Sequence, residues 1–223
     1  MARATRKEKQ NPSSADTIYN TLRDRICLHV YPQGSILKEA DIAKEFSVSR
    51  TPVRESLQKL KQDGLIESRK KVGTVVIGID KETTNDIYLV RLYLLDCAAT
   101  ESNAQFSEKH IAVMSELESR VKTLFDRIDT EEYWKINDVL HKTHMAVIQN
   151  KTLKTLLHKM FLQTARSWAV LLPKMWDISC ELLLHEIVLE KEFMKLNDRA
   201  GVFTTLKSHA MLSLKRCNQL FDG

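Results

Sequence analysis

Glycine and proline are scarce, at 6 and 4 of 223 residues. An all-β sandwich needs far more turn residues than that, so this class is excluded and a mostly helical chain is expected. Cysteine is sparse too: Cys27, Cys97, Cys180 and Cys217 include no CxxC pair. Zinc ribbons and thioredoxin motifs are therefore out, and the four read as reduced thiols of a cytoplasmic protein. The first dozen residues lack an apolar signal-peptide core. The most apolar window, Ile87 to Ala99, is too short to span a membrane and is interrupted by Arg91 and Asp96. No HExxH, glycine-rich phosphate loop or activated-nucleophile motif is present, which argues against an enzyme. No internal repeat or low-complexity stretch stands out. With 43% hydrophobic and 28% charged residues the chain as a whole is not disordered.

What is present is unevenly placed. The net charge is +5. Residues 1–80 hold 15 Lys and Arg against 10 Asp and Glu, while residues 81–223 hold 19 of each. The whole excess lies in the first third, as expected of a basic module for a polyanion joined to a neutral module with another task. Residues 1–13 read as a disordered basic tail carrying Arg3, Arg6, Lys7 and Lys9.

Beyond the tail, Ser13 or Ser14 can cap a helix in which Ile18, Leu22 and Ile26 recur every four residues. Tyr31-Pro32-Gln33-Gly34 ends it. A short helix follows over about 38–46, and Ser47-Val48-Ser49 turns the chain into a helix over 50–62 with Pro52 in its first turn. Gly64 closes that helix as a left-handed cap. Leu65–Ser68 and Thr74–Ile77 read as strands around Arg69–Gly73. Helix, helix, turn, helix, hairpin is the order of a winged helix-turn-helix over residues 14–78, though other small α+β domains share it. From residue 79 onward only helical stripes appear, with helices expected at about 81–104, 107–127, 130–149, 151–172, 178–197 and 200–221. Ser107 and Thr130 suit N-caps and Asn150 suits a helix end. Six antiparallel helices of this size enclose a core and a cavity.

Residues 15–78 resemble the DNA-binding domain of the GntR family of bacterial transcription regulators. The run Ile42-Ala43-Lys44-Glu45-Phe46-Ser47-Val48-Ser49-Arg50-Thr51-Pro52-Val53-Arg54-Glu55-Ser56-Leu57, followed by Leu60 and Asp63-Gly64-Leu65-Ile66, carries the likeness. The remainder resembles the all-helical FadR-type ligand-binding domain, called FCD, through Arg91, the stretch 140–150, His185, and Asp198 followed by His209. The fold implied is mostly α: an N-terminal winged helix-turn-helix and a C-terminal all-helical antiparallel bundle.

Arg50 and Arg54 lie four apart on one face near a helix start, where guanidinium groups can pair with guanine N7 and O6. Ser49 and Thr51 sit where a hydroxyl and a helix N-terminus meet a phosphate. The resemblance assigns all four to operator contact. Lys70 and Lys71 fall at the hairpin tip, within reach of backbone or minor groove. Where some family members have a basic residue early in the second helix, this chain has Ala40.

In the helical part, His141, His185 and His209 each lie on an apolar stripe of a different helix. They are either three separate core histidines or a convergent set for a divalent ion such as Zn, Ni or Fe. Many FCD domains hold a metal with one Asp and three His. By position His141, His185 and His209 match the three, but Asn137 stands at the acid's place, with Asp138 beside it. The spacing from His185 to His209 is a residue or two longer than usual. Arg91 shares a narrow sector with Ile87, Leu94 and Ala98. A guanidinium there needs a partner: Asp96, Asp138, Glu181, or the carboxylate of a ligand. The resemblance implies an organic-acid effector near Arg91, with Asn137 at the edge of its pocket.

The expectation is a homodimeric, cytoplasmic, ligand-responsive transcription repressor that binds a double-stranded DNA operator and no membrane. The competing readings are a metal-dependent enzyme built on the histidines and a helical adaptor with an unrelated basic head.

Overall fold

The computed structural model describes residues 14–101 and 105–221. The basic tail and Ser13, and the end of the helix expected to reach residue 104, lie outside them.

The first element, α1 (Ser14–Cys27), buries Ile18, Leu22 and Ile26 as the four-residue spacing requires. A strand absent from the sequence reading, β1 (Ile36–Leu37), follows the Gly34 turn. Then come α2 (Glu39–Glu45), a turn through Ser47 in the left-handed region, and α3 (Arg50–Gln62). Helix α3 turns Val53, Ser56, Leu57 and Leu60 inward. Its buried Ser56 hydroxyl donates to the Ala15 carbonyl at 2.6 Å and so ties α3 to α1. Gly64 ends α3 with φ +73°, and a Cβ there would also collide with the Gln163 side chain. The hairpin is β2 (Ile66–Arg69) and β3 (Gly73–Val76), antiparallel, with Arg69 opposite Gly73. Strand β1 pairs with the other edge of β3, so the wing is a three-stranded sheet in the order β1-β3-β2.

The rest is helical: α4 (Lys81–Thr100), α5 (Glu108–Thr123), α6 (Thr130–Val147), α7 (Lys151–Leu171), α8 (Trp176–Lys195) and α9 (Arg199–Phe221). A 3-10 turn, Leu172–Met175 with Pro173, joins α7 to α8. Two caps differ from expectation. Asp129, not Thr130, caps α6 by accepting from the Glu132 amide, and Asn150 starts α7 rather than ending α6. In both cases the residue with β-region or irregular backbone takes the cap, and its side-chain oxygen meets the N3 amide. Ser107 caps α5 as expected, with His110 reaching back in a capping box.

Three apolar clusters form the interior, and the first decides how the parts are joined. It unites the winged helix-turn-helix (Ile18, Leu22, Ile26, Val53, Leu60) with Trp134 of α6 and Phe161, Leu162 and Ala165 of α7. The head and the bundle therefore share one core. Polar ties ring that seam. Trp134 Nε1 donates to Asp24 Oδ1 at 3.0 Å, Gln163 Nε2 to the Asp63 carbonyl at 3.0 Å, and Arg166 to the Ile77 carbonyl.

Candidate nucleic-acid interface and buried cavity

The recognition surface follows from the phase of α3. With Val53, Leu57 and Leu60 inward, Ser49, Arg50, Thr51 and Arg54 are all exposed around its N-terminal end. Ser49 occupies the cap with extended backbone but makes no side-chain cap bond, so its hydroxyl is not spent within the helix. Arg54 Nε donates to Glu39 Oε2 at 2.9 Å, an exposed pair that contributes little to stability and fixes the guanidinium beside the start of α2. Lys70 and Lys71 are exposed at the wing tip, where Lys71 has φ +65°. The six residues expected to meet DNA are thus all exposed on the head.

The second site is a cavity of about 50 Å³ inside the bundle, several times the room one water needs. Arg91 of α4 enters it 9% exposed. On α4 the buried stripe is Thr84, Tyr88, Arg91, Leu95 and Ala98, one residue on from the Ile87–Leu94 sector read in the sequence. Arg91 donates from Nη1 to the Thr164 hydroxyl at 2.8 Å and lies 5.6 Å over the Phe161 ring. None of the three acids considered as its partner is free to serve. Asp96 pairs with Lys207, Asp138 pairs with Arg23 and Lys142, and Glu181 is exposed. Burial lowers the Arg91 pKa, opposed in part by Tyr88 and Glu186.

Around Arg91 stand Asn137, His141 and His144 of α6, Glu186 of α8 and His209 of α9. Asn137 commits its Nδ2 to the Tyr133 carbonyl at 2.9 Å. His141 stacks on Phe161 with ring centroids 3.9 Å apart, and its Nε2 meets His158 Nδ1 at 3.1 Å. Desolvation holds the His141 pKa well below the usual imidazole value, and His158 and Arg91 add to the effect. His144 Nε2 lies 2.6 Å from Glu190 Oε2, with side chains 1% and 0% exposed. Burial opposes a charge on His144, but Glu190 outweighs it and raises the His144 pKa; desolvation pushes the Glu190 carboxyl up to about 7. His209 Nδ1 is 2.5 Å from Glu186 Oε2.

Two residues read as metal ligands are elsewhere. His185 is exposed on α8, because that helix buries Cys180, Leu183, Glu186, Ile187 and Glu190. The stripe is rotated by one residue, about 100°, from the Leu182–Leu189 phase, and Glu186 takes the inward place expected of His185. Asp138 is buried but points away from the cavity, toward Arg23 at 3.4 Å and Lys142 at 2.5 Å. Among the described residues no group of three His, Cys, Asp or Glu can hold a metal ion. Asn137 brings no charge and His141 turns Nε2 to His158, so the donor set does not suit a divalent ion and the expected Asp138, His141, His185, His209 centre is not formed. His144, Glu186 and Glu190 were missed in the sequence. The available signal was two acids at i and i+4, Glu186 and Glu190, set in and directly after the apolar stretch 182–189.

A family model described as "Bacterial regulatory proteins, gntR family" matches residues 14–76. The gluconate operon transcriptional repressor of Bacillus subtilis is 32% identical over 194 residues, spanning 83% of this chain and 77% of that protein. The chain belongs to the GntR family. It is a DNA-binding transcription regulator of that family, whose similar members are regulators rather than enzymes. The HTH-type regulator YdhC of Bacillus subtilis is 26% identical over 140 residues, and the match spans 62% of each chain. Among solved structures, E. coli McbR/YncC has a TM-score of 0.75 at 16% identity, covering 94% of this chain and 99% of that one. The likeness in fold therefore runs through the bundle as well as the head. No helix among the described residues is long and apolar enough to cross a membrane.

Proposed function

We propose that this GntR-family chain is a homodimeric repressor of the FadR subfamily. Residues 14–78 are its operator-binding domain, and residues 79–223 are an FCD-type domain for dimerisation and effector binding. A small organic acid in the bundle cavity changes operator affinity. One observation carries this reading: Arg91 is a buried guanidinium with a hydroxyl and an aromatic face around it but, among the described residues, no carboxylate in ion-pair contact, in a cavity walled by Phe161. A ligand carboxylate satisfies it. Phe161 also belongs to the core that seats the head, so a ligand against that ring bears on the head's position. The exposed face bearing Arg50 and Arg54 supports the operator assignment, and the repressor assignment follows the gluconate operon relative.

The test is a gel-shift series with the chain's own promoter fragment. Arg50→Ala or Arg54→Ala is expected to cost about 1–3 kcal/mol and to relax preference at one base position. Lys70→Ala or Lys71→Ala is expected to weaken all sequences alike and to lower the salt slope by about one unit. Operator binding by R54A equal to wild type would refute the docking.

A single head meets too few base pairs to select one genomic site. Light scattering at micromolar concentration is therefore expected to show twice the monomer mass, with two heads spaced for half-sites one DNA turn apart. A monomer both with and without DNA counts against the dimer.

A further inference from the structure

We propose that the cavity takes a small zwitterion, an α-amino acid, with its carboxylate on Arg91 and its ammonium on Glu186. The inference rests on the reading above that Arg91 receives a ligand carboxylate, and adds the second half of the ligand.

The added observation is Glu186. Its side chain is 3% exposed, it lines the same cavity, and its Oε1 has no hydrogen-bond partner among the described residues. A buried carboxylate oxygen without a donor is costly. His209 Nδ1 approaches only Oε2, at ion-pair distance and without hydrogen-bond geometry. The cavity therefore offers donors at Arg91, which has five N–H groups and spends one on Thr164, and an acceptor at Glu186. The ligand must present an anion to the first and a donor to the second.

Charge selects among such ligands. His144 and Glu190 are turned to one another at 2.6 Å and do not face the ligand as free charges. What remains is one guanidinium on α4 and one carboxylate on α8. A zwitterion neutralises both. A hydroxy acid of the same shape offers Glu186 a hydroxyl and leaves the site one charge more negative, which a desolvated cavity penalises. Leu140, Leu172 and Phe161 line the rest of the volume, so a short apolar side chain suits it.

The experiment is isothermal titration of the full-length protein with two matched pairs, glycine against glycolate and L-alanine against L-lactate. A chelator is present throughout, at about pH 8, above the ordinary imidazole pKa. The wild type is expected to bind at least one amino acid about tenfold or more tighter than its hydroxy partner. Glu186→Gln is expected to erase that ratio while keeping carboxylate binding. Arg91→Gln is expected to lose all four compounds. Equal or tighter binding of the hydroxy acids by wild type overturns the zwitterion and leaves the organic-acid reading standing. Unchanged discrimination in E186Q removes Glu186 from the site. If none of the four binds at millimolar concentration, the zwitterion proposal falls. A gel shift unaltered by a wider panel of organic acids is what removes the effector reading itself. Should E186Q fold poorly, the wild-type ratios alone decide.

Discussion

Replacing Trp134 by alanine is expected to lower the unfolding free energy by about 3–5 kcal/mol, the usual range for removing a buried large aromatic side chain. Trp134 is 2% exposed and lies in the core shared by head and bundle. It stacks with Phe161 at 5.8 Å, lies under the Arg23 guanidinium at 5.7 Å, and donates from Nε1 to Asp24. Alanine removes all three contacts and leaves a cavity at the seam. Trp134→Phe keeps most of the ring and gives up the hydrogen bond, for a loss nearer about 1 kcal/mol. Urea unfolding followed by circular dichroism checks both values. The alanine variant is also expected to unfold less cooperatively, because the head and the bundle lose their common anchor. A loss below about 1 kcal/mol in W134A would mean that this seam contributes little to the fold.

The second large effect concerns the buried pair His144–Glu190. At about pH 8, His144→Ala is expected to cost about 3–5 kcal/mol, since it leaves Glu190 enclosed without its partner. Glu190→Gln keeps shape and a hydrogen bond and is expected to cost less. The two variants also differ from wild type in their pH response. The Glu190 carboxyl rises from an ordinary 4.5 to about 7 in the folded chain, chiefly by desolvation. The native state then binds that proton more tightly than the unfolded state, and stability falls as pH climbs from about 4.5 through about 7. His144, whose pKa is also raised in the fold, adds stability below the ordinary imidazole range that is lost as pH rises through its native value. Both contributions have one sign. The stability of wild type relative to E190Q should therefore decline between about pH 5 and pH 8. The comparison isolates the pair from His141, His158 and His29, whose lowered pKa values act in the opposite direction. A flat or rising difference would contradict the raised pKa values at this pair.

The head was legible almost residue by residue, and the cavity only in part, for a physical reason. A recognition helix carries its apolar residues on one side, with Pro52 and Gly64 near its ends, so its phase has one solution. Helix α3 spans Arg50–Gln62 as the sequence indicates. The short β1 escaped because two residues cannot show an alternation. In α8 the run Leu182-Leu183-Leu184 and then Ile187, Val188 and Leu189 puts apolar side chains around most of the helix, and two buried acids occupy the true inward stripe. Hydrophobicity then points to the wrong face, and His185 is read inward where Glu186 stands. Arg91 survived a similar slip in α4 because the expected and observed sectors overlap at its position. His141 and His209 kept their places for the same reason. Asp138 was read toward the wrong side of α6 because its partner, Arg23, lies more than a hundred residues earlier.

The shared core bears on how such regulators can be recombined. A cut after Gly78 looks like a natural seam for grafting this head onto another effector module. It would divide one apolar cluster, taking the α1 side with Leu22 away from α7 and leaving Trp134, Phe161 and Ala165 open to water. A chimera joined there inherits two sticky surfaces instead of two finished parts. The transferable unit is the head together with the matching faces of α6 and α7, and exchange of specificity by swapping heads requires those bundle residues to travel with it.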